Sequence, residues 1–267
     1  MDTQKQWVKT IFDSAAPEYG KAGCSFFQHF GKNLVQFSQV SPGDRVLDVA
    51  TGKGAVLFPL IDRVGPKGSV IGIDLSSNMV FETQKQLKDA NKSWASVEQM
   101  DAEQLAFSDG SFDFVFCGFA LPFFSSLNTA LSEFKRVLKR GGYLVVSTFG
   151  KRPELLSWMV EESKKLGVDR SLTTTSLRER GVLDKLLEEA GFSNIEFFEE
   201  QKVFWHESSQ AWWKSLWSHA GRSIMESLSP SQLESLSKQA LLKAETLRDN
   251  KGIPQELHAI FGKAQKS

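Results

Sequence analysis

Cysteine is scarce in this chain. Only Cys24 and Cys117 occur in 267 residues, and their glycine, serine and phenylalanine flanks offer neither metal-ligand spacing nor a redox pair, so both are expected as free thiols in a reducing compartment. Excess charge is missing as well. Thirty-two basic and 32 acidic residues cancel, which leaves no global field to draw the chain to nucleic acid or to an anionic membrane and favours a small-molecule partner. No apolar run approaches membrane-spanning length, and the opening Met-Asp-Thr-Gln-Lys-Gln-Trp lacks the charged-then-apolar pattern of a secretory signal. A soluble, cytoplasmic protein with no integral membrane segment is the expectation. Internal repeats and low-complexity linkers are also wanting, so one elaborated domain is favoured over an array or a tethered pair.

What is present is an alternation of apolar strands and amphipathic helices, drawn from a composition that is 41% hydrophobic. Phe27, Phe30, Leu34 and Phe37 recur at helical spacing over 26–37. Arg45 to Ala50 is a short apolar strand that runs into Thr51-Gly52-Lys53-Gly54, and 55–64 has helical character despite Pro59. Strands are predicted at 69–74, 96–100, 112–117 and 143–149. Helices are predicted between them, with Ser76 or Ser77 capping 78–90 and Gly141-Gly142 ending the helix that starts near Leu127. This order implies a parallel sheet covered on both faces. Further on, the pattern gives a helix over 177–190, a strand within 194–205, a Trp-rich helical stretch, and a helix opened by Ser229-Pro230-Ser231-Gln232, which has the form of a capping box. A last strand is placed over 256–263.

Chemistry concentrates at the strand ends. Gly52 and Gly54 stand where parallel strands diverge and where a ligand can approach bare backbone. Asp74 ends the second strand, placed to accept hydrogen bonds from both ribose hydroxyls of a nucleoside. Asp101 ends the third, placed to accept from an adenine amine. Any one of these could be only a tight turn or a solvated strand end; three in this order point to a nucleoside-containing ligand. A dinucleotide site would carry G-x-G-x-x-G, but Leu57 occupies the third glycine's place, which argues against NAD.

Over roughly residues 8–205, and most strongly from Val46 to Gly142, the chain resembles the seven-stranded S-adenosylmethionine-dependent methyltransferases, in the branch of the ubiquinone and menaquinone C-methyltransferases. Val46-Leu-Asp-Val-Ala-Thr-Gly-Lys-Gly54 is similar to the family's first motif, with Ala50 where glycine is usual. Ile71-Gly-Ile-Asp74 with Leu75-Ser-Ser-Asn-Met79 resembles the ribose-binding segment, and Met100-Asp101-Ala102 the adenine-binding one. Leu105 to Asp113 and Val137 to Gly142 are typical of this branch. Ile11-Phe-Asp-Ser-Ala-Ala-Pro-Glu-Tyr-Gly20 resembles the segment that covers the active site, with Gly20 replacing a frequent aspartate. The resemblance implies a Rossmann-like α/β fold with a seven-stranded, mostly parallel sheet, N-terminal helices, and a helical cap inserted near the C-terminus. The layout it suggests is a lid over 1–40, a cofactor-binding core over 41–205, a cap over 206–252 and a final strand over 253–267. It further implies S-adenosylmethionine as cofactor, S-adenosylhomocysteine as product, and cofactor contacts from Asp48, Ala50, Thr51, Gly52, Gly54, Asp74, Leu75, Met79, Asp101, Ala102, Cys117 and Phe119.

Methyl transfer from a sulfonium is an in-line displacement that alignment and water exclusion can largely catalyse, so no dedicated catalytic residue is required. Should a base assist, Tyr19, His29 and His206 are candidates, although each histidine can equally be an ordinary packed residue. Trp212, Trp213, Leu216, Trp217 and Ala220 fall mostly along one helical face, which must be buried against something; the first expectation is the protein's own core, since aromatic stripes usually pack, and a cap helix can pack and still line an acceptor pocket. With Tyr19, Phe27 and Phe123, Trp213 and Trp217 are candidates to line a pocket for a hydrophobic or aromatic acceptor, quinone-like or lipid-like. The rival readings are O- or N-methylation of a secondary metabolite, other chemistry on the same fold, and a protein that binds the cofactor without catalysis. A nucleic-acid acceptor is disfavoured by the neutral charge and by the lack of an Asn-Pro-Pro-Tyr-like run.

Overall fold

The computed structural model describes residues 2–20, 25–168, 175–219 and 221–267. Cys24 and Ala220 lie outside the described residues. Seven strands form one sheet: β1 (Arg45–Val49), β2 (Ser69–Asp74), β3 (Ala95–Gln99), β4 (Phe112–Gly118), β5 (Leu138–Phe149), β6 (Phe192–His206) and β7 (Ile253–Lys266). Their order is β3-β2-β1-β4-β5-β7-β6. The first five pair in parallel, and β7 runs antiparallel between β5 and β6. The sheet is therefore mostly parallel, as the alternation of elements implied.

The strand sequences follow from burial on both sides. In β1, Val46 joins the cluster on one face while Leu47 and Val49 join the cluster on the other, so the strand reads as an unbroken apolar run rather than an alternation. Helices α2 (Phe26–Ser38), α3 (Leu57–Val64) and α4 (Ser77–Ala90) cover the first face; α5 (Leu127–Val137) and α7 (Arg180–Glu189) cover the second. An N-terminal helix, α1 (Thr3–Ala15), packs beside α4. Caps hold these elements where the sequence places serines. Ser76 accepts from the Met79 amide at 3.1 Å, and Ser229 opens a reciprocal capping box with Gln232 at the start of α10 (Pro230–Glu245).

A separate helical layer comprises α6 (Glu154–Lys165), α8 (Ser209–Leu216), α9 (Arg222–Met225) and α10, around a third apolar cluster. It is assembled from two stretches of chain, one before α7 and one between β6 and β7. Helix α6 has no counterpart in the sequence reading.

Three boundaries differ from expectation for identifiable reasons. The helix expected from residue 55 begins at Leu57, which puts Pro59 in its first turn, where amide hydrogens have no helical acceptor in any case. Gly141-Gly142 does not end a helix. Helix α5 stops at Val137, and the glycines lie inside β5, where pairing with β4 skips from Phe112/Leu138 to Phe114/Tyr143. Gly141 takes φ +79° in that irregularity, a conformation glycine adopts without cost. The helix placed over 177–190 is a 3-10 turn at Thr175–Arg178 followed by α7.

Candidate active site

The sheet changes winding direction between β1 and β4, and a crevice opens beyond the carboxyl ends of its strands there. It is a cavity of about 590 Å³, a size suited to a small organic ligand. One half is bounded by the ends of β1, β2 and β3. Ala50 leaves β1 at φ +55° and is followed by Gly52 at +53° and Gly54 at +81°. Ala50 thus holds the left-handed conformation where a glycine would be unstrained, and such strain persists where the surroundings over-determine it. Thr51 turns back so that its hydroxyl donates to Asp48 Oδ2 at 2.6 Å. Burial pushes the Asp48 carboxyl up to about 7, with the Asp74 charge adding to the effect.

Asp74 closes the loop from the other side. Its Oδ2 accepts from the Gly52 amide at 2.8 Å and its Oδ1 from the Ser76 amide at 2.9 Å. Burial raises this carboxyl to about 6 even with those bonds in place. Both carboxyls border the cavity, and a cationic ligand there would favour their ionised forms. Asp101 accepts from Lys5 Nζ at 2.7 Å and, through Oδ1, from the Glu103 amide at 2.9 Å. A carboxylate has about four acceptor positions, so two remain for a ligand amine.

Helix α1 is fastened over this half at two points. Lys5 bridges Asp101 and Glu103, at 2.7 and 2.9 Å. Asp13 Oδ1 accepts from the Ser76 hydroxyl at 2.6 Å and from the Asn78 amide at 3.1 Å. The segment after α1 sets Tyr19 beside the loop, such that a Cβ added to Gly52 would lie 4.0 Å from the ring. Burial, with the Asp74 charge adding to it, pushes the Tyr19 hydroxyl well above its ordinary range.

The other half is aromatic. Tyr19 stacks on Phe27 with centroids 5.4 Å apart, Phe27 meets Phe119 edge-on at 6.0 Å, and Phe119 stacks on Phe149 at 4.2 Å. Phe119 leaves β4 at φ +56°, the second strained strand end on the crevice. Phe12 and Phe123 meet edge-on at 5.3 Å alongside.

Of the residues singled out from sequence, Tyr19, Phe27, Asp48, Ala50, Thr51, Gly52, Gly54, Asp74, Leu75, Met79, Asp101, Ala102, Phe119 and Phe123 all line the cavity. Five do not. Cys117 is fully buried in the sheet core, and burial pushes its thiol up. His29 lies 2.6 Å from Glu200 and ties α2 to β6. His206 is buried 2.7 Å from Gln255. Trp213 and Trp217 pack in the third apolar cluster beside Trp212, where α6 and α10 absorb the aromatic face.

The structure adds cavity residues that carried no sequence signal: Thr148 at the end of β5, Arg152 beyond it, Arg178 in the 3-10 turn, His219 after α8, and Gln255 in β7. His219 Nδ1 accepts from the Gly221 amide at 3.1 Å, so its proton belongs on Nε2. Burial, reinforced by His206, lowers its pKa to about 4 and keeps the ring neutral.

A strand-end crevice with a glycine loop and an acidic residue on the next strand defines a nucleotide-type α/β fold. The comparisons specify it further: residues 1–160 match the ubiE/COQ5 methyltransferase family, and the chain belongs to that family. It is 34% identical over 144 residues to the aklanonic acid methyltransferase DauC of Streptomyces sp. (strain C5), covering 54% of this chain and 66% of that protein. It is 37% identical over 146 residues to the demethylmenaquinone methyltransferase of Staphylococcus carnosus (strain TM300), covering 53% and 60%. The aligned region thus spans less than two thirds of these curated relatives. In fold it is similar to the YcgJ protein from Bacillus subtilis, with TM-score 0.63 and 23% identity over 89% of this chain and 98% of that one. Among the described residues, no helix is long and apolar enough to cross a membrane.

Proposed function

We propose that the protein transfers the methyl group of S-adenosylmethionine to a small hydrophobic aromatic acceptor, quinone-like or polyketide-like. The observation that carries this reading is the division of one cavity into a polar half, with Asp74 bonded to the Gly52 and Ser76 amides, and an aromatic half running from Tyr19 to Phe149. The residues of the polar half fit the cofactor. The left-handed Ala50–Gly54 loop leaves backbone bare for its amino-acid portion, Asp74 keeps lone pairs for a ribose, and Asp101 can accept an adenine amine.

When bound, the cofactor supplies an electrophilic methyl on a sulfonium. The chain's own part is placement and dryness. Asp48 and Asp74 lie in a poorly solvated wall where their ionised forms favour a cation. The ring sequence Tyr19, Phe27, Phe119 and Phe149 offers flat apolar faces that hold an aromatic acceptor and exclude water. Neutral His219, its Nδ1 already committed, can donate from Nε2 to an acceptor oxygen and hold it in line. The two relatives above are named as methyltransferases of aklanonic acid and of demethylmenaquinone, and the second name, a quinone's, accords with this acceptor class.

The test is methyl-labelled S-adenosylmethionine with a panel of reduced naphthoquinones and aromatic polyketide acids. Label transferred to at least one acceptor, with S-adenosylhomocysteine formed in equal amount, is the expected result. Cofactor binding with no transfer to any aromatic acceptor would favour a protein that binds the cofactor for another purpose.

A further inference from the structure

At the aromatic end of the cavity, just beyond β5, two arginines stand together, and among the described residues no carboxylate pairs with either. Arg178 donates from Nη1 to the Gly150 carbonyl at 3.0 Å, which pins it beside the chain that carries Arg152 two residues later. Both side chains are half-buried and both line the cavity. Among the described residues, neither forms an ion pair. The acid nearest Arg152 in sequence, Glu154, is turned away to Lys243 at 3.0 Å, and Glu179, next to Arg178, is exposed. Burial, together with the charge of Arg152, lowers the Arg178 guanidinium to about 10, so it stays cationic at neutral pH although Arg152 repels it.

Two residues before Gly150, the Thr148 hydroxyl is buried with no hydrogen-bond partner. Thr148 itself is 1% exposed and borders the same cavity. Natural interiors rarely leave a buried hydroxyl unpaired or two cations facing one another, because each omission costs free energy unless a ligand completes it. Thr148 and Arg152 lie within five residues at the end of β5 and Arg178 is bonded to Gly150 between them, so an anionic oxygen acceptor in the cavity is a counterpart that all three could share. Guanidinium groups recognise planar oxyanions through paired N–H donors.

We infer that Arg152 and Arg178, with Thr148, form a subsite for an ionised oxygen substituent on the aromatic acceptor, a carboxylate or an ionised enol. This rests on the methyl-transfer reading and narrows its acceptor class from aromatic to aromatic and anionic. The subsite lies across β4 from the glycine loop, on the acceptor side of the cavity. The pair then has a recognition role that a neutral aromatic ring would not need.

The experiment measures binding of four probes to the protein saturated with S-adenosylhomocysteine: 3-hydroxy-2-naphthoate and its methyl ester, and 2-hydroxy-1,4-naphthoquinone, which is ionised at neutral pH, with its methyl ether. At least one anionic probe is expected to bind about tenfold or more tightly than its neutral counterpart, and which of the two does so assigns carboxylate or enolate. Arg152→Gln, at a residue with no bond to lose among the described residues, should erase most of that preference, and Arg178→Lys should weaken it. Affinity for S-adenosylhomocysteine should stay unchanged in both. Equal binding of acids and neutral partners to the wild-type protein overturns the inference, as does a preference that survives Arg152→Gln. Loss of S-adenosylhomocysteine binding in Arg152→Gln would assign the pair to the cofactor and also overturn it. Failure of the wild-type protein to bind S-adenosylhomocysteine would instead remove the methyl-transfer reading beneath it.

Discussion

Replacing Asp48 by asparagine should make the ligand-free protein more stable and the cofactor site worse. Asp48 is 1% exposed, and burial holds its carboxyl at about 7 where the ordinary value is 3.8. The unfolded chain ionises first, so stability declines as pH rises from about 4 to about 7 and is constant above. Fully developed, the cost approaches roughly 4 kcal/mol; because the carboxyl borders a cavity that water can enter, we take roughly 1–3 kcal/mol. Asparagine carries no charge. Its amide can keep the Thr51 contact, since that hydroxyl, which now donates at 2.6 Å, can turn and accept. In a domain of this size the expected rise in melting temperature at pH 8 is about 3–8 °C, shrinking as pH falls toward 4.5. Thermal unfolding across that range measures it. Titration calorimetry should show S-adenosylmethionine losing more affinity than S-adenosylhomocysteine, since only the former carries the sulfonium charge. A melting temperature that falls at pH 8, or rises equally at both pH values, would refute the reasoning.

Other substitutions probe separate parts of the account. Gly31→Ala would drive a methyl into the Ala55 carbonyl, where α2 presses on the end of the cofactor loop; a loss of roughly 1–3 kcal/mol is expected by denaturant unfolding, and an unchanged midpoint would show that the two elements can separate freely. Thr148→Val replaces an unpartnered buried hydroxyl with a methyl. It should raise stability by about 1 kcal/mol, and a drop would reveal a partner for that hydroxyl. Lys5→Ala removes the bridge to Asp101 and Glu103; chymotryptic cleavage at Trp7 or Phe12 should quicken while the melting temperature moves little, whereas unchanged cleavage would place the hold on α1 elsewhere.

The polar half of the site was legible in the sequence because its determinants are local. A strand running into Ala50 and a left-handed glycine loop can be read within ten residues, and Asp74 and Asp101 declare themselves by standing at or just past the ends of β2 and β3. The Ser229 capping box was legible for the same reason. The acceptor half was not, because it is built by tertiary approach. Arg152, Arg178, His219 and Gln255 come from four segments with no shared motif, brought to one wall by β5, the 3-10 turn, the helical layer and β7. The tryptophan stripe at 212–217 signalled packing in the protein's own core, and the partners it could not name are α6 and α10. Helix α6 escaped notice although Leu155, Met159 and Val160 bury one side of it, since its other positions are mixed. Gly141-Gly142 misled because a glycine pair after an amphipathic helix serves equally as a stop or, as here, as an irregularity in the next strand.

The most direct test of the central claim is calorimetric titration of the wild-type protein and Asp74→Ala with S-adenosylmethionine, S-adenosylhomocysteine and NAD. One-to-one binding of both adenosyl ligands, weakened about a hundredfold or more in the variant by loss of two charge-assisted ribose bonds, with no response to NAD, is the predicted result. Binding of NAD, or silence toward both adenosyl ligands, would contradict it.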